Sequence, residues 1–204
     1  MTTARRVFLI WCLAWWSILS PARAAPAQEL DLEGVLSDHP EIRLAIEQKI
    51  IDYQTLATVL GLYHQGRYRE AITLVEEALK HSEKILGPEH TFVATVKHFL
   101  ALLYFRIGNF AQAKPLQQEA LDVRLKLLGP EHPQVGASYS NLALLYSCLA
   151  SYEKAVPLYL ESLKIREKSL GPEHFETAIS LNCLAALYQT LGIYDQALLL
   201  YQRS

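Results

Sequence analysis

The four-residue string Gly-Pro-Glu-His occurs three times in this chain, at residues 87–90, 129–132 and 171–174, so that both intervals are 42 residues. Self-similarity at a fixed period is typical of proteins that stack one small supersecondary unit on the next, because no single unit can bury its own apolar face. We therefore divide the chain into complete units at residues 49–90, 91–132 and 133–174, and an incomplete fourth unit at residues 175–204.

Within each unit the apolar residues recur with helical spacing. In the second unit Leu100, Leu103 and Tyr104 fall at i, i+3 and i+4, which places them on one face of a helix. The glycine of each Gly-Pro-Glu-His string follows the second helix of a unit, and the proline after it prevents continuation. The turn between the two helices is predicted at the same place in every unit, at Gly66, Gly108, Ala150 and Gly192. The sequence thus predicts an all-α fold of antiparallel helix pairs.

The units also share a skeleton of large and small residues. In the third unit it consists of Leu142, Ala143, Leu145, Tyr146, Ala150, Tyr152, Ala155, Ser162 and Leu163. This skeleton resembles the tetratricopeptide repeat in its 42-residue form, similar to the repeats of kinesin light chains and of many exported bacterial proteins, over residues 49–204. The resemblance implies a right-handed α-solenoid whose first helices line a concave face that holds a peptide or a helix of another protein.

Two kinds of local feature test this interpretation. Asn109 and Ser151 occupy the position where a second helix needs an N-cap. Pro115 and Pro157 lie several residues inside second helices, where proline removes a backbone hydrogen bond. Because the apolar pattern continues beyond both prolines, we expect a bend at each and not the end of the helix.

The first 24 residues have the layout of a secretory signal peptide. Arg5 and Arg6 precede an apolar run over residues 7–19, and a small-residue pattern ends at Ala24, where we expect cleavage. The alternative is an uncleaved anchor, although a bilayer requires about 20 apolar residues. Export to the periplasm or the outside of the cell follows. Residues 25–48 are predicted to be a linker and an N-terminal capping helix that starts at Pro40 and runs through Ile50 into the first unit.

The net charge argues against nucleic acid as a partner. It is −2 for the full chain and becomes about −5 once Arg5, Arg6 and Arg23 leave with the signal peptide. Nucleic-acid affinity comes largely from neutralised phosphates, which an acidic chain does not supply. After signal cleavage we expect no association with a membrane.

The sequence offers no convergent catalytic or metal-binding set. His90, His132 and His174 each follow an acidic residue, but equivalent residues of stacked units are about 15–20 Å apart, given helix spacings of 8–10 Å, and zinc–nitrogen bonds are about 2 Å. We expect these histidines to order the turn into the next helix, and we predict neither cofactor nor metal. Cys148 and Cys183 are out of register for a disulfide and should be free thiols.

The candidate binding residues lie on the first helices. By register they are His98, Arg106, Ser140, Asn141, Leu144, Asn182 and Gln189, and neighbouring positions include Thr95 and Phe99. The resemblance implies that Asn141 faces a bound peptide backbone, as an asparagine does in kinesin-light-chain-like repeats. Phe99 and Cys183 replace that asparagine in the flanking units.

These observations favour a non-catalytic module that binds a protein or peptide in its concave groove. One alternative is the N-terminal sensing part of a longer enzyme such as a caspase-like peptidase, since similar bacterial repeats are joined to such domains. Another is a self-assembling scaffold. The chain stops within the second helix of the fourth unit, where Leu198, Leu199 and Tyr201 form an apolar end. We therefore expect either a fragment of a longer protein or self-association through this end.

Overall fold

The computed structural model describes residues 39–47 and 50–204, so the predicted signal peptide and most of the predicted linker lie outside the described residues. The described part contains nine α-helices and no strand, which confirms the all-α fold class. The helices are α1 (Pro40–Glu47), α2 (Tyr53–His64), α3 (Tyr68–Leu86), α4 (Thr91–Arg106), α5 (Phe110–Leu128), α6 (Pro133–Cys148), α7 (Tyr152–Leu170), α8 (Phe175–Thr190) and α9 (Tyr194–Arg203).

The helices group into two compact units, of which one ends at Leu127 and the other begins at Leu128. In the first unit α2 packs on α3, α3 packs on α4, and α1 contacts α4. In the second unit α6 packs on α7, α7 on α8, and α8 on α9. The pairs α2–α3, α4–α5, α6–α7 and α8–α9 correspond to the four predicted repeats. None of the helices in the described residues is long and apolar enough to cross a membrane.

The core of the first unit joins α1 to the first two repeats. Ile42 and Ala45 of α1 are buried in one apolar cluster with Val59, Phe92 and Leu103. Full burial of a leucine such as Leu103 stabilises a fold by about 1.5–3 kcal/mol. The N-terminal helix is therefore part of the hydrophobic core of this unit.

The N-terminal helix differs from its prediction at its C-terminal end. It begins at Pro40, as predicted, but ends at Glu47, and Ile50 and Ile51 lie in a bend. A new helix starts at Tyr53, where Asp52 accepts a hydrogen bond from the Thr55 amide at 2.7 Å. An aspartate in this position is a strong N-cap, so α1 does not continue into α2.

Helix–helix packing in the second unit depends on small residues. An added Cβ at Gly136 of α6 would lie 3.2 Å from Cγ2 of Ile165 on α7, a tight contact, so glycine at this position favours the close approach of these two helices. On the other side of α7, the buried Arg166 donates to Ser180 Oγ of α8 at 2.6 Å. Burial lowers the pKa of Arg166, and the negative charge of Glu176 opposes this effect.

One charged contact changes its composition between repeats. Lys97 of α4 is almost buried and lies 3.0 Å from Glu83 of α3 and 2.8 Å from Glu119 of α5. In the fourth repeat the equivalent of Lys97 is Leu181, and the other two positions hold Glu167 and Arg203, which pair directly at 2.6 Å. The same three positions thus form ion pairs in both repeats, with a lysine between two glutamates in one and a glutamate–arginine pair in the other.

The helix ends follow the sequence signals, with one exception. The predicted turns have positive φ at Gly66, Gly108, Ala150 and Gly192, and Gly87, Gly129 and Gly171 end the second helices with φ between 83° and 94°. Asn109 accepts from the Gln112 amide at 3.4 Å, a long cap bond. Ser151 makes no side-chain cap hydrogen bond. The helices α5 and α7 continue through Pro115 and Pro157, as predicted.

Candidate binding surface of the first helices

The predicted binding residues fall into two groups, one in each compact unit. His98 and Arg106 are on α4 in the first unit. Ser140, Asn141 and Leu144 are on α6 and Asn182 and Gln189 are on α8, all in the second unit.

The three residues on α6 differ in accessibility. Ser140 and Leu144, one helical turn apart, keep only 8% and 7% of their surface exposed. Asn141 lies beside that face and is partly buried. The third repeat therefore presents mainly the Asn141 amide, with a narrow apolar margin at Leu144.

On α8 the two amide side chains contact the last helix. Asn182 donates from Nδ2 to the Ala178 carbonyl at 3.0 Å, while its Oδ1 accepts from the Ser204 hydroxyl at 3.2 Å. Gln189 Oε1 accepts from the Tyr201 hydroxyl at 3.3 Å. The bonds to Ser204 and Tyr201 are exposed to solvent, so both amides lie at the border between α8 and α9 and remain accessible.

Arg106 is part of an aromatic cluster on the first unit. Its Nη2 donates to the Tyr63 hydroxyl at 2.6 Å, and its guanidinium carbon lies 5.3 Å from the centroid of the Tyr63 ring and 6.0 Å from that of Tyr68. The Tyr63 ring also contacts Phe99, with 5.9 Å between centroids. Cation–π contacts of this kind contribute about 0.5–2 kcal/mol. Tyr63 and Tyr68 lie in other helices than Arg106, and no sequence pattern predicted that they would contact it.

His98 is held between the two helices of its own repeat. Its Nδ1 lies 3.0 Å from Gln117 Oε1 on α5, to which it donates as the neutral tautomer. Burial lowers the pKa of His98 to about 3, and the positive charge of Arg124 acts in the same direction. The imidazole is therefore uncharged at neutral pH, and it can present a hydrogen bond to a ligand but no positive charge.

Thr95, another predicted groove position, is already engaged by α1. Its hydroxyl donates to Glu41 Oε1 at 2.8 Å, and Arg124 Nη2 lies 3.5 Å from the same hydroxyl. Burial raises the pKa of Glu41, but hydrogen bonds from His39, its own backbone amide and Thr95 outweigh it and lower that pKa to about 2. Burial lowers the pKa of Arg124 to about 10, against the attraction of Glu41.

The histidines of the Gly-Pro-Glu-His strings are helix N-caps. Nδ1 of His90 accepts from the Phe92 amide at 3.1 Å, and the equivalent bonds from Gln134 to His132 and from Glu176 to His174 are both 3.2 Å. These histidines were predicted to order the turn, and they do so through an N-cap hydrogen bond. In the described residues no group of three or more His, Cys, Asp or Glu side chains is placed to hold a metal ion.

Both described cysteines are free thiols, as predicted. Cys148 is fully buried and Cys183 is partly buried. Burial raises the pKa of Cys183 to about 11, although the positive charge of Arg166 opposes this. The Cys183 thiol is therefore protonated at neutral pH, which makes it a weak nucleophile.

The first unit also contains a cleft that the sequence did not predict. Its volume is about 590 Å³ and it is lined by Ile46, Ile50, Ile51, Asp52, Thr55, Leu74, Glu77, Ala78 and His81. The lining comes from α1, the bend after it, α2 and α3, which only the packing brings together.

The sequence profile described as tetratricopeptide repeat matches residues 51–126, 92–168 and 148–204 of this chain. Together these matches extend from residue 51 to the end of the sequence. No curated protein sequence matches significantly.

Several solved structures share the fold. BtubC (BKLC) from P. vanneervenii superposes with a TM-score of 0.69 at 22% sequence identity, over 85% of this chain and 74% of its own. A kinesin-light-chain protein of Podosopora anserina with nearly identical TPR-like repeats gives 0.62 at 24% identity, over 100% of this chain and 95% of its own. MamA gives 0.53 at 17% identity, over 85% of this chain and 86% of its own. At these identities the similarity establishes the fold alone.

Proposed function

Since the chain belongs to the tetratricopeptide-repeat family, whose repeats generally mediate protein–protein interactions, we propose that it is a non-catalytic module that binds a polypeptide along its first helices. The ligand is a peptide segment or a helix of another protein, and neither a cofactor nor a metal ion takes part. Nucleic acid is not a partner, since the net charge of the full chain is −2.

The observation that carries this proposal is the set of accessible amides on α6 and α8. Asn141 is partly buried, and Asn182 and Gln189 make only solvent-exposed hydrogen bonds through their side-chain oxygens to other residues. A side-chain amide both donates and accepts, so it can bond to a peptide backbone in either direction. An exposed hydrogen bond contributes only about 0.5–1.5 kcal/mol, so a ligand can replace the contacts with Tyr201 and Ser204 at low cost. Leu144 supplies an apolar margin beside these groups.

In the first unit, considered by itself, Arg106 and His98 offer a ligand groups of a different character. Arg106 supplies a positive charge that Tyr63 and Tyr68 hold in place. His98 supplies a neutral imidazole that Gln117 orients. We expect these residues to favour a polar segment where a ligand contacts this unit.

The test is a paired substitution on the proposed surface. A partner is first identified by cross-linking in the native host and then purified, so that its dissociation constant for the full chain can be measured. Asn141→Ala combined with Asn182→Ala should weaken binding by about 1–3 kcal/mol if both amides bond to the ligand. The matched control is Gln196→Ala, which removes an exposed amide from α9.

The dissociation constants of these variants distinguish binding at the first helices from binding at other surfaces. Binding that is unchanged in the double variant but lost in Gln196→Ala or in other second-helix variants would reject the proposed surface. Self-association of the chain without any partner, detected by light scattering, would favour a scaffold instead.

We further propose that the protein is exported and cleaved near Ala24. The support is the order of basic, apolar and small residues in the first 24 positions, which lie outside the described residues. Mass spectrometry of the protein purified from its own host should find a chain that starts at or near Ala25. Recovery of the uncleaved chain from the membrane fraction would contradict this.

A further inference from the structure

Three of the first helices begin in the same way. His90, His132 and His174 are the N-caps of α4, α6 and α8, with extended backbone angles near φ −80° and ψ 140°. Each ring accepts, through Nδ1, the hydrogen bond of the amide two residues further on. The helix therefore uses an imidazole nitrogen where serine, threonine, aspartate or asparagine would ordinarily supply an oxygen.

An imidazole can fill this role in only one protonation state. Nδ1 accepts a hydrogen bond when it carries no proton, so the proton of the neutral ring must be on Nε2. A proton on Nδ1 would face the amide hydrogen and abolish the bond. It would also place a positive charge at the helix N-terminus, where the helix dipole is already positive.

We propose that these three caps form a proton-sensitive device that loosens the starts of α4, α6 and α8 in mild acid. Uptake of a proton at Nδ1 releases the amides of Phe92, Gln134 and Glu176 and frays the first turn of each helix. The Gly-Pro-Glu-His strings repeat the device at the same place in successive repeats. The proposal concerns the chain alone and does not depend on the proposed ligand.

The charged groups around the caps are largely engaged with each other. Glu89, next to His90, pairs with Lys126 of α5, and Glu131, next to His132, pairs with Lys168 of α7. These pairs keep each carboxylate close to a positive charge. The carboxylate therefore gives a protonated imidazole beside it little electrostatic stabilisation.

The surroundings of His174 differ in one respect. Arg166 of α7 lies 3.4 Å from the carboxylate of Glu176, whose amide is the cap donor. Glu173 precedes His174 and has no ion pair within the described residues. Because Glu173 can stabilise a positive charge on the neighbouring imidazole, we expect this cap to be lost in acid at least as readily as the other two.

The chain contains an internal contrast in His39. It also precedes a helix, since the Ile42 amide bonds to its carbonyl at 2.9 Å. Its Nδ1, however, lies 3.2 Å from Glu41 Oε1, so it donates to a carboxylate and does not accept from an amide. The same residue type before a helix thus donates or accepts a hydrogen bond at Nδ1, according to what that atom faces.

The first experiment reads the protonation state directly. Nitrogen NMR of the full chain, with the histidine signals assigned by single His→Asn variants, should show Nδ1 unprotonated and Nε2 protonated for the three caps at about pH 8. Protonated Nδ1 at these residues in the folded chain would overturn the proposal.

The second experiment measures the consequence at each cap. Amide hydrogen exchange is followed at Phe92, Gln134 and Glu176 at about pH 5 and about pH 8, a range in which imidazole side chains change charge. After correction for intrinsic exchange, protection at Phe92 and Gln134 should fall roughly 5-fold in acid, the equivalent of the loss of an N-cap of about 1 kcal/mol. The fall at Glu176 should be at least as large.

A matched pair of variants decides whether the caps cause the effect. The triple variant His90→Asn, His132→Asn and His174→Asn keeps a good cap that does not titrate, so its protection should be independent of pH. His81→Asn, which changes an exposed histidine inside α3, should behave as the unmodified chain. Equal loss of protection in the triple variant and the unmodified chain would refute the device. Global unfolding is not the readout, because His98 also responds to acid.

Discussion

The turn at Ala150 provides a sharp test of how backbone conformation contributes to stability. Ala150 is the only non-glycine residue with positive φ in the described residues, at 57°, and Gly108 occupies the equivalent position in the preceding repeat at 77°. Both turns are closed by the same backbone bonds, with Ser151 N bonded to Tyr146 O at 2.9 Å and Asn109 N bonded to Tyr104 O at 2.8 Å. Exchanging the two residue types therefore isolates the cost of a side chain in a left-handed conformation.

We expect Ala150→Gly to stabilise the protein. The left-handed conformation costs a non-glycine residue about 1–2 kcal/mol, whereas glycine adds about 0.4–1 kcal/mol of conformational freedom to the unfolded chain. The Ala150 side chain is exposed, so its removal costs little packing. The net gain in the free energy of unfolding should be about 0.5–1 kcal/mol.

The reciprocal change, Gly108→Ala, should have the opposite sign. A Cβ at this position would meet no heavy atom within 4 Å, so the effect is conformational and not steric. We expect a loss of about 0.5–1 kcal/mol by the same reasoning. Urea denaturation followed by circular dichroism gives both values, provided that the slope of the transition is unchanged. A loss of stability in Ala150→Gly would refute the reasoning, since it would mean that the alanine side chain contributes more than its backbone conformation costs.

Three further predictions rest on single contacts. The pKa of His98 is lowered to about 3 in the fold. As the pH falls, the unfolded chain therefore takes up a proton at this residue before the folded chain does. His98 therefore contributes stability at neutral pH that is lost as the pH falls from the ordinary imidazole range towards 3, and urea midpoints of His98→Gln should depend less on pH over that range. Lys97→Leu should destabilise the chain by about 1–3 kcal/mol because it leaves Glu83 and Glu119 facing each other, and adding Glu119→Arg, which copies the arrangement of the fourth repeat, should restore much of the loss in thermal melts. Cys183, with a pKa raised to about 11, should react slowly with iodoacetamide at about pH 8 in the native chain and rapidly in denaturant; equal rates would contradict its burial.

The ends of the helices were predictable because they depend on neighbouring residues. A glycine that adopts positive φ and a proline that lacks an amide act within a few residues, so the 42-residue period was enough to place the turns from Gly66 to Gly192. The same local logic failed at the first helix. Asp52 caps a new helix at Tyr53, and the apolar spacing from Ile42 to Ile50 gave no sign of the bend between them.

The character of the candidate surface was much less predictable. The register placed His98 and Thr95 on the first helices, but their hydrogen bonds to Gln117 and Glu41 join residues 19 and 54 positions apart. Arg106 likewise meets Tyr63 across 43 positions. No periodicity encodes which of several nearby polar groups a side chain will choose.

The sequence by itself determined that this chain is all-α, where the turns between its helices lie, and that the Gly-Pro-Glu-His histidines order a turn. These properties follow from local backbone preferences and from the 42-residue period. Only the tertiary structure decided that α1 joins the core of the first unit, that Nδ1 of each cap accepts while that of His39 donates, and which of the predicted binding residues remain accessible. Those properties depend on the distances between side chains on different elements, which are fixed only when the helices pack.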